Sequence, residues 1–374
     1  MLNTLPTSAA RQPRGAVKVN GQLMKGWVDF EVDNNAFYSA DTFRCRFAIS
    51  ALPAGFGADW FCAQSALWLE LFAGFPANPS SYTAGELKRL IYGKVDDVTY
   101  CPGGAYIEVS GRDLTSAFVD ARTYEQFVNQ TASQIATTLA KRHGLNPVVT
   151  RTTTKAGTYY ALENRRVPIE RSEWELLTWL ANEEGFSVFV SGQDLHFQPA
   201  TDPASNPYVL QWTPPAGDNS APQFNGIDIT FSRNLTLAKD IIVIVRVIGQ
   251  KTGKPFQVKA QATHNKNTVL AGAAQPIGQA QTYSYVQHGK TKEEAQQWAN
   301  NHLAQLSAHE MKLSANMPAD NLLDITQMIQ VRGTGTAFDQ TYYADSIVRR
   351  MSWDGGYTMT LNAKNHSPES EVLA

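Results

Sequence analysis

Cysteine is scarce in this chain. Only Cys45, Cys62 and Cys101 occur among 374 residues. Three cysteines make no disulfide framework, and their spacing does not fit zinc ligation, so the chain is expected to fold in a reducing cytoplasm on packing alone. Long apolar runs are also missing. No stretch approaches the roughly 18 residues of a membrane helix, so no membrane insertion is expected. The opening MLNTLPTSAARQPRG has no apolar core of a signal peptide. Basic excess is absent: 32 Lys and Arg stand against 34 Asp and Glu. A surface built to grip nucleic acid is therefore not expected. Neither a G-x-x-x-x-G-K-[ST] phosphate loop nor an H-E-x-x-H helix occurs, and no cofactor is expected.

What is present is β pattern, written twice. In VDFEVDNNAFYSADTFRCRFAI (Val28 to Ile49), Val28, Phe30 and Val32 alternate with Trp27, Asp29 and Glu31. After a turn-prone stretch, Phe43, Cys45, Phe47 and Ile49 alternate with Thr42, Arg44 and Arg46. This predicts an antiparallel hairpin with one apolar and one charged face. Asp29 and Glu31 are expected to pair with Arg44 and Arg46 across the strands. The segment IDITFSRNLTLAKDIIVIVRVI (Ile227 to Ile248) overlays the first without a gap, setting Asp228 on Asp29, Asn234 on Asn35 and Asp240 on Asp41. Its return arm is apolar on both faces apart from Arg246, so cover from another element or another subunit is expected on both sides.

A second overlay sets DDVTYCPGGAYIEVSGRD on IVRRMSWDGGYTMTLNAKN, anchored by Gly103-Gly104 and Gly355-Gly356, glycine pairs suited to tight hairpin turns. Val28 falls on Ile227 whereas Gly103 falls on Gly355, so the later copy carries about 53 additional residues between those points. Between the copies lies an α+β stretch. TASQIATTLAKRHG places Ile135, Ala136 and Leu139 on one helical face. SEWELLTWLANEEG has the capping-box spacing Ser172–Glu175 and an apolar stripe of Trp174, Leu177, Leu180 and Ala181. FSVFVSGQDLHFQP reads as a hairpin turning at Gly192. Residues 200–225 are rich in Pro, Gly, Asn and Ser and read as a linker. The later insertion includes a strand in GKPFQVKAQATH and a helix starting at Thr291–Glu294, with Ala295, Trp298, His302, Leu306 and His309 at helical spacing.

His302 and His309 are seven residues apart, with no Cys or carboxylate to complete a metal site. Glu173, Glu175, Glu183 and Glu184 are better explained by helix position and capping than as a hydrolytic carboxylate pair. Trp174, Trp179 and Trp298 read as core anchors of helices.

Three stretches resemble the baseplate hub proteins of contractile phage tails: the Mu-like tail protein, the late-control protein D group and the hub part of type VI secretion spike proteins. They are EVSGRDLTSAFVDA, ERSEWELLTWLANEEGFSVFVSGQDLHFQP, and TKEEAQQWANNHLAQL together with ADNLLDITQMIQVRGTGTAFDQTYYADSIVRRMSWDGGYTMTLNAK. The resemblance implies a mixed α+β, β-rich chain with two duplicated tail-tube-like antiparallel β-barrel domains and an intervening α+β module. The expected division is 1–115 for the first tube-like domain, 116–225 for the middle module and linker, and 226–374 for the second, with a helix-containing insertion near 250–310. It also implies a homotrimeric, non-enzymatic hub in the virion baseplate, synthesised in the host cytoplasm. Three chains with two similar domains give a pseudo-sixfold ring, joining the hexameric tail tube or its initiator protein to a trimeric spike. The chain ends soon after the second copy, so the spike is expected to be a separate protein. Other baseplate proteins are further expected partners, with DNA only in transit through a channel. The alternatives are a tail-associated cell-wall hydrolase and the hub of a type VI-like secretion spike. Expected channel-lining residues are Asp29, Glu31, Arg44, Arg46, Asp228 and Thr230. Ile241, Ile242, Val243, Ile244 and Val245 are expected to be buried or in subunit contact.

Overall fold

The computed structural model describes residues 12–36, 39–125, 127, 129–153, 171–199, 207–217, 220–234, 241–248, 255–261, 281–288, 291–307 and 311–365. They divide into two compact units. One comprises Met1–Asp202, Met317–Ile325 and Ser346–Thr360, and the other Pro203–Asn316, Thr326–Asp345 and Leu361–Ala374. The chain is β-rich with few helices. No helix among the described residues is long and apolar enough to cross a membrane.

The first unit opens with β1 (Arg14–Val19), β2 (Gln22–Met24), β3 (Trp27–Asn35), β4 (Thr42–Ala48), β5 (Trp68–Gly74), β6 (Lys88–Cys101) and β7 (Tyr106–Asp113). Asn20 and Gly21 turn β1 into β2 with φ of 50° and 79°, the positive pair that a two-residue hairpin loop needs. The order β3-β4-β7-β6-β5-β1-β2 is antiparallel throughout. The expected β3–β4 hairpin forms, and Phe43, Cys45 and Phe47 are buried as the alternation requires. Val28 is a correction: it is exposed, while Phe30 and Val32 are buried. A bulge between Trp27 and Asp29 inserts one extra residue and turns Val28 outward.

Next come β8 (Arg122–Thr123), the helix Ala132–Arg142, β9 (Asn146–Val149), β10 (Arg171–Ser172), the helix Glu173–Glu184, β11 (Phe186–Ser191) and β12 (Asp194–Pro199). Thr131–Gln134 and Ser172–Glu175 form capping boxes, and Gly185 ends the second helix at φ 69°. β12 lies between antiparallel β11 and parallel β9. Ile135, Leu139, Leu177, Leu180, Val188, Leu195 and Phe197 fill one core between helices and sheet. Each such aliphatic contributes about 1.5–3 kcal/mol on burial. Trp174 is buried in it and Trp179 packs on it.

The second unit draws on β13 (Tyr208–Thr213), β14 (Gln223–Phe224), β15 (Asp228–Arg233), β16 (Ile241–Ile248), β17 (Pro255–Gln261), β18 (Gln281–His288) and the helix Lys292–Ser307. Then follow β19 (Met311–Pro318), β20 (Met328–Arg332), β21 (Thr341–Ser352) and β22 (Gly356–Asn365). β13 lies inside the stretch read as a linker. Tyr208 and Leu210 are buried, and the strand runs parallel to β20. The partner expected for Asp228–Arg233 was the run Ile241–Ile248, and this is also corrected. β15 pairs instead with Met311–Asn316 of β19. β16 forms a separate sheet between β17 and β18. Its Ile241, Val243, Val245 and Val247 are buried with Ala295 and Ala299 of the helix Lys292–Ser307. A strand apolar on both faces seeks a central position, and β17 and β18 supply it. Asp240 and His309 lie outside the described residues.

These pairings show a correspondence. One set of strands is ordered β3-β4-β7-β6-β5-β1, and the other β15-β19-β22-β21-β20-β13. In both, a glycine-containing hairpin joins the two central strands. The last strand differs: β1 runs antiparallel to β5, whereas β13 runs parallel to β20.

In the first unit, Ser346–Ser352 also pairs antiparallel with β3. Arg349 on this segment is 3% exposed. It donates to Asn34 Oδ1 at 2.9 Å and to the Leu323 carbonyl at 2.5 Å. Replacing Arg349 with Ala leaves the buried Leu323 carbonyl and the half-buried Asn34 amide without this donor. An unfolding free energy lower by about 2–4 kcal/mol is expected in denaturant titrations, from unmet hydrogen bonds of about 1–3 kcal/mol each.

Candidate functional site

The first unit gathers a charge cluster on the face of β3, β4 and β7 that points away from Phe30, Val32, Phe43 and Phe47. Antiparallel register sets Arg46 opposite both Asp29 and Glu108. Arg46 holds Asp29 with Nη2 at 2.6 Å and Nε at 3.1 Å. Arg44 Nη1 reaches Asp29 at 3.3 Å and Glu108 at 3.0 Å. Two carboxylates thus neutralise two guanidinium groups. The hydrogen bond that Arg46 donates to Asp29 raises the Arg46 pKa further, so its charge is fixed. Asp29 itself is 8% exposed, covered by the arginines it pairs with.

Glu31 was expected to pair with the β4 arginines. It pairs instead with Arg350, at 2.5 Å. The indole of Trp353 stacks on Trp27 at 5.2 Å and donates from Nε1 to the Trp27 carbonyl. The sequence reading missed Glu108, Arg350 and Trp353. Glu108 had a usable signal, since it shares the alternation of Tyr106 and Ser110 beside β4. Arg350 and Trp353 had none, because their partners lie more than 300 residues away.

Asp228 and Thr230 are exposed on β15 in the second unit, opposite Asn316 and Ser314 of β19. That face is polar and carries little charge. Ile241 to Val245 lie on β16. Ile241, Val243 and Val245 are buried, while Ile242 and Ile244 on the reverse face are half-buried. The structure thus brings Asp29, Arg44 and Arg46 together with Glu108, leaves Asp228 and Thr230 on β15 of the other unit, and puts β16 in a separate sheet.

Behind the charge cluster, at the far end of the β3–β4 hairpin, sit two acids, Asp41 half-buried and Asp113 buried. Asp41 accepts from the Asn35 backbone N–H at 2.8 Å and from Asn34 Nδ2 at 2.7 Å. Asn34 in turn accepts from Arg349, forming a relay from cation to amide to carboxylate. Asp113 lies beside it and is held by Thr115. Burial pushes the Asp41 pKa up to about 6, and the Asn34 and Asn35 hydrogen bonds offset only part of that. Burial and the Asp41 charge raise Asp113 as well.

No protein-family model matches the sequence, and no curated protein does either. Solved structures do match the fold. A tail protein from Neisseria meningitidis MC58 aligns over 96% of this chain and 99% of its own, with TM-score 0.66 and 14% identity. The 43 kDa tail protein of prophage MuSo2 from Shewanella oneidensis aligns over 96% and 99%, with TM-score 0.62 and 16% identity. A type VI secretion system component of E. coli aligns over 96% of this chain and 79% of its own, with TM-score 0.52 and 12% identity. The chain has the fold of phage tail proteins. That fold is β-rich with large mixed sheets, and it is shared with the secretion-system component.

The raised Asp41 pKa sets a pH dependence. The folded state binds the proton more tightly than the unfolded chain, so this contribution is full below about pH 4 and is lost as pH rises through about 6. Asp41→Asn is expected to flatten the fall in unfolding free energy between those values, measured by denaturant titration at successive pH.

Proposed function

We propose that this chain is a structural baseplate hub of a contractile phage tail. Three copies form a ring with pseudo-sixfold symmetry. The ring joins the hexameric tail tube or its initiator to a separate trimeric spike, contacts other baseplate proteins, and leaves a channel for DNA. The observation that carries this reading is the repeated strand order, β3-β4-β7-β6-β5-β1 and β15-β19-β22-β21-β20-β13. One chain with two similarly ordered β units supplies six units from three copies, and closed cyclic assembly is the ordinary rule for such chains. The tube-like units are 1–115 and 226–374, the latter interrupted by the sheet and helix near 250–310 and extended by β13 (Tyr208–Thr213) from the stretch first read as a linker. The α+β module and the rest of that stretch occupy 116–225. The end-to-end match to tail proteins supports a phage tail over a secretion spike.

Asp29, Glu31, Arg44, Arg46, Asp228 and Thr230 are assigned to the channel wall. The pairing within the cluster supports this, because its arginines are already neutralised by Asp29, Glu108 and Glu31. Unpaired arginines would hold phosphate and slow DNA in transit. The half-buried reverse face of β16, with Ile242 and Ile244, is assigned to subunit contact. The role is mechanical: seat the tube, hold the spike, release it on contraction.

Light scattering of the purified chain is expected to give three times its 41.2 kDa mass, with no release of peptidoglycan fragments. Ile244→Lys is expected to shift the mass to one chain without unfolding it. A monomeric wild type that releases peptidoglycan contradicts the hub and supports a hydrolase.

A further inference from the structure

The first unit carries a cavity of about 400 Å³, open to solvent, that the hub reading does not use. Its floor is aromatic. Trp68 and Tyr92, on neighbouring strands β5 and β6, stack at 5.8 Å with planes 9° apart. The Arg89 guanidinium lies over the Tyr92 ring at 5.9 Å. Trp68 is 37% exposed, so its ring is partly presented to solvent.

The platform is held in place. Trp68 N–H donates to Asn20 Oδ1 at 2.9 Å, and Asn20 N–H donates back to the Trp68 carbonyl at 2.8 Å. The Asn20-Gly21 turn is therefore clamped to the start of β5. On another side the β11–β12 turn brings Gly192 against Arg89. The Gly192 φ of +63° favours glycine at this turn, and a Cβ there would meet the Arg89 guanidinium. This places Gln193 on the cavity wall.

The rim has hydrogen-bonding capacity to spare. Arg89 reaches Glu70 with one nitrogen, at the long distance of 3.5 Å, and among the described residues most of its five donors have no hydrogen-bond acceptor. Gln193 makes no side-chain hydrogen bond among the described residues, and Asn20 spends only its oxygen. An apolar occupant would bury Arg89, Glu70 and Gln193 without compensation, at a cost in desolvation. A phosphate group would meet Arg89 but also the Glu70 carboxylate. A neutral pyranose ring suits all of it. Its C–H face lies against an aromatic ring, and its hydroxyls both donate and accept, serving Glu70, Arg89 and the two amides. An acetamido substituent adds a partner for Gln193 or Asn20.

We propose that this cavity is a saccharide-binding site, with Trp68 as the stacking platform and Glu70, Arg89, Gln193 and Asn20 as hydroxyl and acetamido partners. It does not depend on the hub assignment. The test uses the full chain with chitotriose, cellotriose and AMP, read by saturation-transfer NMR and titration calorimetry. Saturation of the trisaccharide ring protons is expected. Trp68→Ala is expected to weaken binding at least about tenfold, the equivalent of about 1.4 kcal/mol. Gln193→Ala, in a surface turn, is expected to weaken it by a few-fold with unchanged thermal unfolding. Tyr100→Ala, at an exposed tyrosine outside the cavity, leaves it unchanged. The proposal is overturned if neither trisaccharide binds, if Trp68→Ala binds as well as the wild type, or if AMP binds more tightly than both sugars.

Discussion

Strand β3 has β4 along one edge. Its other edge would be an open row of amides and carbonyls without Ser346–Ser352, a segment more than 300 residues away in sequence. Arg349 fixes that pairing from within, bonded to Asn34 and Leu323, and Glu31–Arg350 and Trp27–Trp353 fix it from outside. Asn34 and Glu31 of β3 are held by this closure, through Arg349 and Arg350. Contacts of such separation form late and slowly, so the first unit completes only when the last part of the chain is available.

The relay Arg349–Asn34–Asp41, buried at Arg349 and half-buried at Asn34 and Asp41, shows the cost of that closure. A carboxylate partly withdrawn from water resists ionisation, and two amide hydrogen bonds only partly offset this. Asp113 next to it compounds the effect. The charge cluster on the opposite face has the reverse character. Asp29, Glu108, Arg44 and Arg46 are close enough to satisfy one another, leaving a surface that is polar yet nearly neutral.

Local features were legible in the sequence. The hairpins at Gly103-Gly104 and Gly355-Gly356, the turn at Gly192 and the capping boxes at Ser172 and Thr291 depend on residues a few positions apart, although the positive φ of the first hairpin falls on Ala105 and not on its glycine pair. Most of what failed was distant. The overlay of Ile241–Ile248 on the β4 strand rested on alternation in the preceding arm and on Asp228, Asn234 and Asp240, which record a strand but not its partner. Tyr208–Thr213 hid among turn-forming residues because its ladder partner, β20, lies more than 100 positions on. Val28 was misread because a bulge breaks alternation without leaving a glycine or proline as a mark. Of the charged face, Asp29, Arg44 and Arg46 were found from strand alternation, whereas Arg350 required a contact that no local pattern encodes.

The repeated strand order is the centre of the functional account, since it lets a threefold assembly present six similar units. End-on electron micrographs of the assembled particle test it most directly. The account predicts a threefold ring of this chain around an open channel, with six similar β densities at the junction of tube and spike. A ring of any other symmetry, or six densities of which three have a different fold, would contradict it.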